Sequence, residues 1–587
     1  MKSKIILTGI ILLALFLRFQ NINWDSGFHL HPDERFLTMV GNAIKIPNSV
    51  EQYFNPDTSP LNPPNVGFSF FVYGAFPIIL NKIIALLFGN DTYGAFTLQG
   101  RILSGLADMM VLFLVFKTAE LLFVETGHAP SLYKNKTRNN LPLLAAFFYA
   151  IAVLPIQLSH FFTTDSFLNL FMFASFYFAL RFNFNPSGLI LRSSATKCIV
   201  IPLKKGIQSI ITFLNGIFSL DSRLRGNDKQ DTPMLCVGEY PIFLSAVFFG
   251  LAIASKVSAI YILPLILFFL CFPLIKEKKF SSLLKCLLFF FATSYLVIRI
   301  ANPYYFRSTD LFDPRLNATF EKSITELKAM SDGKVWFPPS VQWHSKAPVL
   351  FSLFNLSVFG LGIPYFIFVI IGMVSSFSIQ LLAITLWVVG YFLYNSLSFT
   401  KALRYLIFLF PFFSLFAAIG MVKIKNFKFQ IFIVILLLIW PLTFSTIYLQ
   451  KHTRFQASEW IYRNLPNQSI ILSEYWDDGL PLPIENTKGK SFRTEELHVF
   501  DPDNEEKWIK MSEQLQRADY YILSSNRGWG SVPTVPQKYP QMSKYYADLF
   551  NGKTNYKLIK KIIPTYQFLF PFHPNSWFNN WFEEAFT

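Results

Sequence analysis

Phe28-His29-Leu30-His31-Pro32-Asp33-Glu34-Arg35-Phe36 follows the first apolar run of the chain, which ends near Phe19. Pro32 suits the first position of a helix, and acids in a first turn interact well with its dipole. The Asp-Glu pair therefore has a plain reading as a helix start. Its place argues for more. Adjacent carboxylates at a membrane edge are costly unless something pairs with them or uses them, and His29 and His31 flank this pair. Asp33 reads as a catalytic base on the outer side of a membrane, with Glu34 as its helper.

The composition supports the membrane setting. The chain has 587 residues, of which 52% are hydrophobic and 15% charged, with a mean hydropathy of +0.37. Soluble domains carry about 25% charged residues. The net charge of +16 does not point to nucleic acid, because the basic residues sit in short loops between apolar runs. The four cysteines, Cys198, Cys236, Cys271 and Cys286, lack metal-ligand spacing. All are expected at or near the cytoplasmic side, where disulfides are rare.

Residues 4–19 follow a basic start, and no small-residue cleavage site comes after them. They read as an uncleaved first span with a cytoplasmic N-terminus. Further runs of bilayer length occupy 101–122, 141–158, 164–182, 240–256, 258–274, 282–300, 354–373, 378–396, 402–421 and 429–448. Eleven spans put the C-terminus outside. Lys134, Lys136 and Arg138, then Lys276, Lys278 and Lys279, then Lys423, Lys425 and Lys428 fall in the loops this assigns to the cytoplasm, as the positive-inside rule requires. Asp33 and Glu34 then lie outside.

The expected organisation is an all-α polytopic membrane protein with a small C-terminal extracytoplasmic α/β domain. Residues 1–449 form the transmembrane catalytic part. Within it, 20–99 is a first outer loop with the active site, 301–353 is another outer loop, and 184–238 is a basic cytoplasmic insert. In that insert Ser219-Leu220-Asp221-Ser222-Arg223-Leu224-Arg225-Gly226-Asn227-Asp228 resembles translated repeat elements. The apolar but interrupted stretch 67–88 is expected to lie in the interface. Charged residues return from about 450. A helix over Thr453–Asn464, a strand at Ser469-Ile470-Ile471-Leu472, a helix over Glu505–Arg517 and a strand at Tyr520-Tyr521-Ile522-Leu523 predict the α/β domain over 450–587. Glu474, Asp477 and Asp478 read as loop acids. The end at Glu583-Glu584-Ala585-Phe586-Thr587 carries no terminal signal, as expected of a truncated reading frame.

Several motifs in order resemble the membrane glycosyltransferases of the GT-C type, and within them family 39, the protein O-mannosyltransferase and aminoarabinose transferase group. Asp33-Glu34 matches that group's acidic pair after the first span. Arg101-Ile102-Leu103-Ser104-Gly105-Leu106 matches its second-span start, and Phe162-Thr163-Thr164-Asp165 its acid before the fourth span. Ala252-Ile253-Ala254-Ser255-Lys256 matches its Lys-terminated fifth span, and Arg404-Tyr405-Leu406-Ile407-Phe408-Leu409-Phe410-Pro411 its Arg-Tyr span. Asn62-Pro63-Pro64 stands where the family has His-Pro-Pro.

The resemblance implies a bacterial plasma-membrane enzyme that moves a sugar, with inversion, from a polyprenyl-phosphate carrier to a hydroxyl acceptor. Such chemistry needs a carboxylate to take the acceptor proton, here Asp33. It needs cations for the departing phosphate. Lys256, Arg299, Lys401 and Arg404 fall at outer span ends, with Arg101 added to the set. Each of these also reads as a snorkelling interface residue. Asp165 reads either as a helix cap or as a supporting acid or metal ligand facing Glu34. A divalent metal held by His29, His31 and Glu34 is a further option. The partners expected are the lipid-linked donor, membrane lipid and the acceptor, with no nucleic acid. Two other classes remain open at this point. One is a transporter or flippase of a lipid-linked sugar, and the other is a non-catalytic envelope assembly protein.

Overall fold

The computed structural model describes residues 2–125, 140–184, 240–376, 378–485, 487 and 489–563. All of the insert 184–238 beyond Phe184, with Cys198 and Cys236, lies outside the described residues. So does the chain from 564. Cys271 and Cys286 are free thiols.

Backbone polar groups in lipid must be satisfied within the segment, so the apolar runs become helices. Among the described residues seven helices are long and apolar enough to cross a membrane: Tyr93–Phe123, Thr164–Phe184, Val257–Lys276, Phe280–Ala301, Ile379–Leu397, Leu403–Val422 and Phe427–Ser445. Two bent pairs bring the number to nine. They are Leu141–Ala150 with Val153–Ser159, bent by 56°, and Leu350–Gly360 with Ile363–Val374, bent by 114°. The sharper bend falls at Gly362, whose φ is +83°, just before Pro364. Every one of the eleven expected spans has its helix, but two fall short of the length and composition of a span. Lys2–Phe19 carries three charges, Lys2, Lys4 and Arg18, and Tyr240–Ser255 has only 16 residues. The chain is thus a multi-pass membrane protein, with seven spans among the described residues, or nine with each bent pair taken as one. Phe76–Phe88, in the stretch expected at the interface, has 13 residues. At 1.5 Å per residue it is about 20 Å long, too short to cross.

Leu403–Val422 and Thr164–Phe184 form the centre of the bundle, 94% and 83% buried, whereas Phe280–Ala301 is peripheral at 22%. A polar knot ties the bundle together near one end. Arg18 Nε meets Asp108 Oδ2 at 2.5 Å, and its other nitrogens donate to the carbonyls of Ala150 and Tyr149. Tyr149 donates to Asp108 Oδ1, and Asn169 donates to Tyr149. Intramembrane charges are retained where they find such partners.

The C-terminal part contains both expected helices, Thr453–Asn464 and Glu505–Arg517. Strand β1 is Ile470–Glu474, β2 is Arg493–Leu497 and β3 is Tyr520–Tyr521. The sheet order is β2-β1-β3, with both pairings parallel. β2 was not expected. It reads Arg-Thr-Glu-Glu-Leu and sits at an edge, where charge discourages further pairing and no apolar pattern marks a strand.

Glu474 corrects the loop-acid reading, because it closes β1 and is buried. Tyr521 and Tyr546 both donate to its Oε1 at 2.6 Å. Burial pushes its carboxyl up to about 7, against the two tyrosine hydrogen bonds that favour the charged form. A folded-state value above the unfolded one means that the folded protein binds the proton more tightly. This group's contribution is therefore best below about 4.5 and is lost as pH rises to about 7, a loss on the order of 3 kcal/mol. Glu474→Gln should be less sensitive than wild type to a rise from pH 5 to pH 8. Tryptophan-monitored unfolding of the full chain checks this through Trp508 and Trp529, which pack on that core. Equal pH sensitivity of the two proteins would contradict it.

Candidate active site

The Pro32–Ala43 helix begins with His31 as its cap. Nδ1 of His31 accepts the Glu34 amide N–H at 3.2 Å. The ring stacks on Phe161 with centroids 4.3 Å apart. Burial and the charge of Arg404 bring the imidazole down to about 4, so it is neutral at pH 7, as a capping acceptor must be. Successive helical residues point about 100° apart. Asp33 and Glu34 are accordingly sent to different partners.

Glu34 faces inward. Arg101 donates to its two oxygens at 2.8 and 2.6 Å, and the Phe162 amide N–H donates to Oε1 at 2.7 Å. The same guanidinium binds both oxygens of Asp25 at 3.0 and 2.8 Å and donates to the Ile22 carbonyl. Asp25 also accepts N–H groups from Gly27 and Leu30. All three side chains are at most 1% exposed. Burial is the largest influence on both acids. It lifts Glu34 above the usual carboxylate range. For Asp25, Arg101 and two backbone donors outweigh it and hold the carboxyl below that range. This is a structural clamp on the first loop. Arg101, expected at the donor phosphate, has each of its three nitrogens engaged here. Glu34, expected to help Asp33, is held by Arg101 instead.

The Asp33 side chain is 23% exposed, unlike that of Glu34. It pairs with Arg404, which opens the Leu403–Val422 helix. Burial opposes its charge. Arg404 outweighs burial, with His31 and Lys256 adding to it, and keeps the carboxyl below the usual range. Beside this pair, Lys256 Nζ meets Asp165 Oδ1 at 2.9 Å. Asp165 thus answers Lys256 rather than Glu34. Tyr405 joins the two pairs: its ring centroid is 5.5 Å from Lys256 Nζ and 5.7 Å from the Arg404 guanidinium carbon. Tyr73 lies 5.9 Å from Lys256 on the other side. Among the described residues, the buried Nε of Arg404 has no hydrogen-bond partner.

Lys256 is aimed by a break in the chain. The Tyr240–Ser255 helix stops there, and Lys256 is extended at φ −168° and ψ 131° before a short 3-10 turn. The first loop clamps that end. Gly74 donates its N–H to the Ser255 carbonyl at 3.0 Å. A Cβ on Gly74 would sit 1.9 Å from the Ala254 oxygen, so only glycine permits this approach.

The remaining expected cations lie elsewhere. Arg299 is buried over the Phe306 ring and donates to the carbonyls of Ser308 and Asp310. Lys401 donates to the Phe399 carbonyl. The metal set does not assemble. His29 turns to Thr97 at 3.1 Å, His31 is the helix cap and Glu34 is held by Arg101. Among the described residues no three His, Cys, Asp or Glu side chains converge. Sequence reasoning also missed Asp25, Tyr73 and the link from Arg35 to Asp478, 2.9 Å long. That link, shared with Arg454, fastens the C-terminal part of the chain to the residue after Glu34.

No sequence-family model matches the chain, and no curated protein does. Solved structures with a similar arrangement include the archaeal oligosaccharyltransferase AglB from Archaeoglobus fulgidus, in complex with an inhibitory peptide and a dolichol-phosphate. It is 13% identical with a TM-score of 0.46 over 80% of this chain, which spans only 62% of the AglB length. ArnT from Cupriavidus metallidurans bound to undecaprenyl phosphate is another. It is 12% identical with a TM-score of 0.45 over 91% of this chain and 88% of its own.

Proposed function

We propose that this protein transfers a sugar, with inversion, from a polyprenyl-phosphate carrier to a hydroxyl acceptor at the outer face of the membrane. The observation that carries the reading is the Asp33–Arg404 pair beside Lys256. A base and two cations meet at the rim of an apolar bundle, and Arg404 keeps a donor free. The donor class is what the motif resemblance implies, and the likeness to solved structures adds no argument to it.

Asp33 paired with Arg404 is ionised but weakly basic. A phosphate that binds Arg404 competes for the same N–H groups, loosens its hold on Asp33 and makes the carboxylate a better base. The acceptor oxygen then attacks the anomeric carbon as its proton passes to Asp33. The bond from the anomeric carbon to the phosphate oxygen breaks, and the electron pair leaves with the polyprenyl phosphate. Arg404 and Lys256 stabilise the growing phosphate charge, while Asp165 holds Lys256 in place. One displacement with one base gives inversion. Past Lys256 the surface exposes Ile260 and Tyr261 beside Tyr394, an apolar face suited to a prenyl chain. Arg299 and Arg101 drop out of the donor set in this reading.

Binding of undecaprenyl phosphate to the full chain in nanodiscs tests the phosphate site. Arg404→Ala and Lys256→Ala should each weaken it at least about tenfold, since charge-assisted hydrogen bonds contribute about 1.5–3 kcal/mol. Wild-type affinity in both variants would move the phosphate site elsewhere.

A further inference from the structure

Glu474-Tyr475-Trp476-Asp477 is a turn at the carboxyl end of β1, closed by the Asp477 N–H donating to the Glu474 carbonyl at 3.1 Å. Trp476 takes its third position at φ +78°, where glycine is the usual residue and a bulky side chain is strained. Trp476 is nevertheless 38% exposed, and Tyr475 beside it is 39% exposed. Phe337 meets the Trp476 ring edge to face with centroids 5.5 Å apart, and His498 stacks on Tyr475 at 4.5 Å. Strained residues of this kind gather where something binds. The carboxyl ends of parallel strands are also where α/β sheets take their ligands.

The same turn carries charge. Arg35 and Arg454 share Asp478, and Arg454 also reaches Asp477 at 3.3 Å. Arg527 donates through Nη1 to the Trp476 carbonyl and lies in the field of all four groups. Three guanidinium groups thus face two carboxylates, and one positive charge is left over. Glu474 turns away to Tyr521 and Tyr546. Among the described residues Nε and Nη2 of Arg527 have no hydrogen-bond partner, and neither is sealed from solvent. The Arg35 side chain is 40% exposed and uses only Nη1. Free guanidinium nitrogens in a fork suit a carboxylate or a phosphate. A half-open aromatic face beside them suits the C–H face of a pyranose. Charges interleaved with the rings do not suit a patch that dips into lipid. Arg35 stands in the same helical turn as Asp33, so a molecule held here is brought to the base.

We infer that this turn is the acceptor subsite. The acceptor is an acidic glycan whose sugar ring rests on Trp476 while its carboxylate or phosphate is held by Arg527 and Arg35. The inference rests on the transferase reading and names the acceptor class for it.

The test gives the full chain in nanodiscs the polyprenyl-phosphate sugars of its own cells, with an envelope extract as acceptor. Acceptor activity should survive protease treatment of the extract, be retained on an anion-exchange column and elute with salt. Either carboxyl reduction of that fraction or removal of its phosphate should abolish the activity, which tells the two anions apart. Arg527→Gln keeps a donor for the Trp476 carbonyl and loses the charge. It should raise acceptor KM at least about tenfold, the worth of one charge-assisted hydrogen bond, with donor affinity unchanged. Trp476→Gly suits the positive φ, so this variant should melt no lower than wild type while its acceptor KM rises by a similar factor. A merely structural tryptophan would lose stability and leave acceptor KM alone. The inference is overturned if the activity passes unretained through the column, if protease destroys it, if neither chemical treatment affects it, or if both variants keep the wild-type acceptor KM. Failure of wild type to bind the donor or to release its sugar would overturn the transferase reading itself, a separate and recognisable result.

Discussion

Asp33→Asn should lower the rate of sugar transfer by a factor of about 10²–10⁴, the usual worth of a general base. The amide keeps the shape of the carboxylate and cannot take the acceptor proton. Donor affinity should hold or improve. Arg404 is paired with Asp33, so removing the acid's charge leaves the guanidinium freer for phosphate. With wild-type donor-binding stoichiometry showing that the variant is fully folded, a fall in kcat with no rise in donor KM places the loss in the chemical step. Wild-type turnover in this variant would remove Asp33 from the chemistry and make Asp165 the next candidate.

Arg101→Met should destabilise the protein by about 3–5 kcal/mol, the cost of breaking a buried ion pair by removing one partner. The guanidinium holds both Asp25 and Glu34, and neither acid has solvent to turn to. Arg101→Lys should rescue little, because one ammonium cannot reproduce the two forked contacts. Adding Glu34→Gln to Arg101→Met should recover part of the loss, since it removes one of the stranded charges. Thermal unfolding in detergent reads all three proteins. A melting midpoint for Arg101→Met equal to that of wild type would show that the clamp contributes nothing.

Much of the architecture is legible in the sequence because lipid leaves an apolar run one structural option, the helix. The eleven runs are helical, although two fall short of a span and two are bent, and both helices of the C-terminal part fall where their patterns predict. Pairing is less legible. Arg18 and Asp108 lie 90 residues apart, and only matching a lone intramembrane base to a lone intramembrane acid by depth would have joined them. Arg101 and Arg404 look alike as cations near span ends. Helix rotation decides that one locks Glu34 and Asp25 while the other meets Asp33. Asp165 and Lys256 are separately readable as site residues, but their contact depends on where the Tyr240–Ser255 helix breaks. Asp25 has no motif around it. Its role follows from a turn with positive φ at Ser26, Gly27 and His29, which bends the chain so that the carboxylate accepts the N–H groups of Gly27 and Leu30.

The most direct measurement follows sugar-free polyprenyl phosphate by mass spectrometry. The purified full chain is given the polyprenyl-phosphate sugars extracted from its own cells' membranes, with an envelope extract as acceptor. Wild type should release polyprenyl phosphate in step with glycosylation of the acceptor, and Asp33→Asn should release almost none over the same period while still binding the donor. Release by Asp33→Asn at the wild-type rate, or a wild type that binds the donor and leaves it intact in the presence of acceptor, would contradict the account.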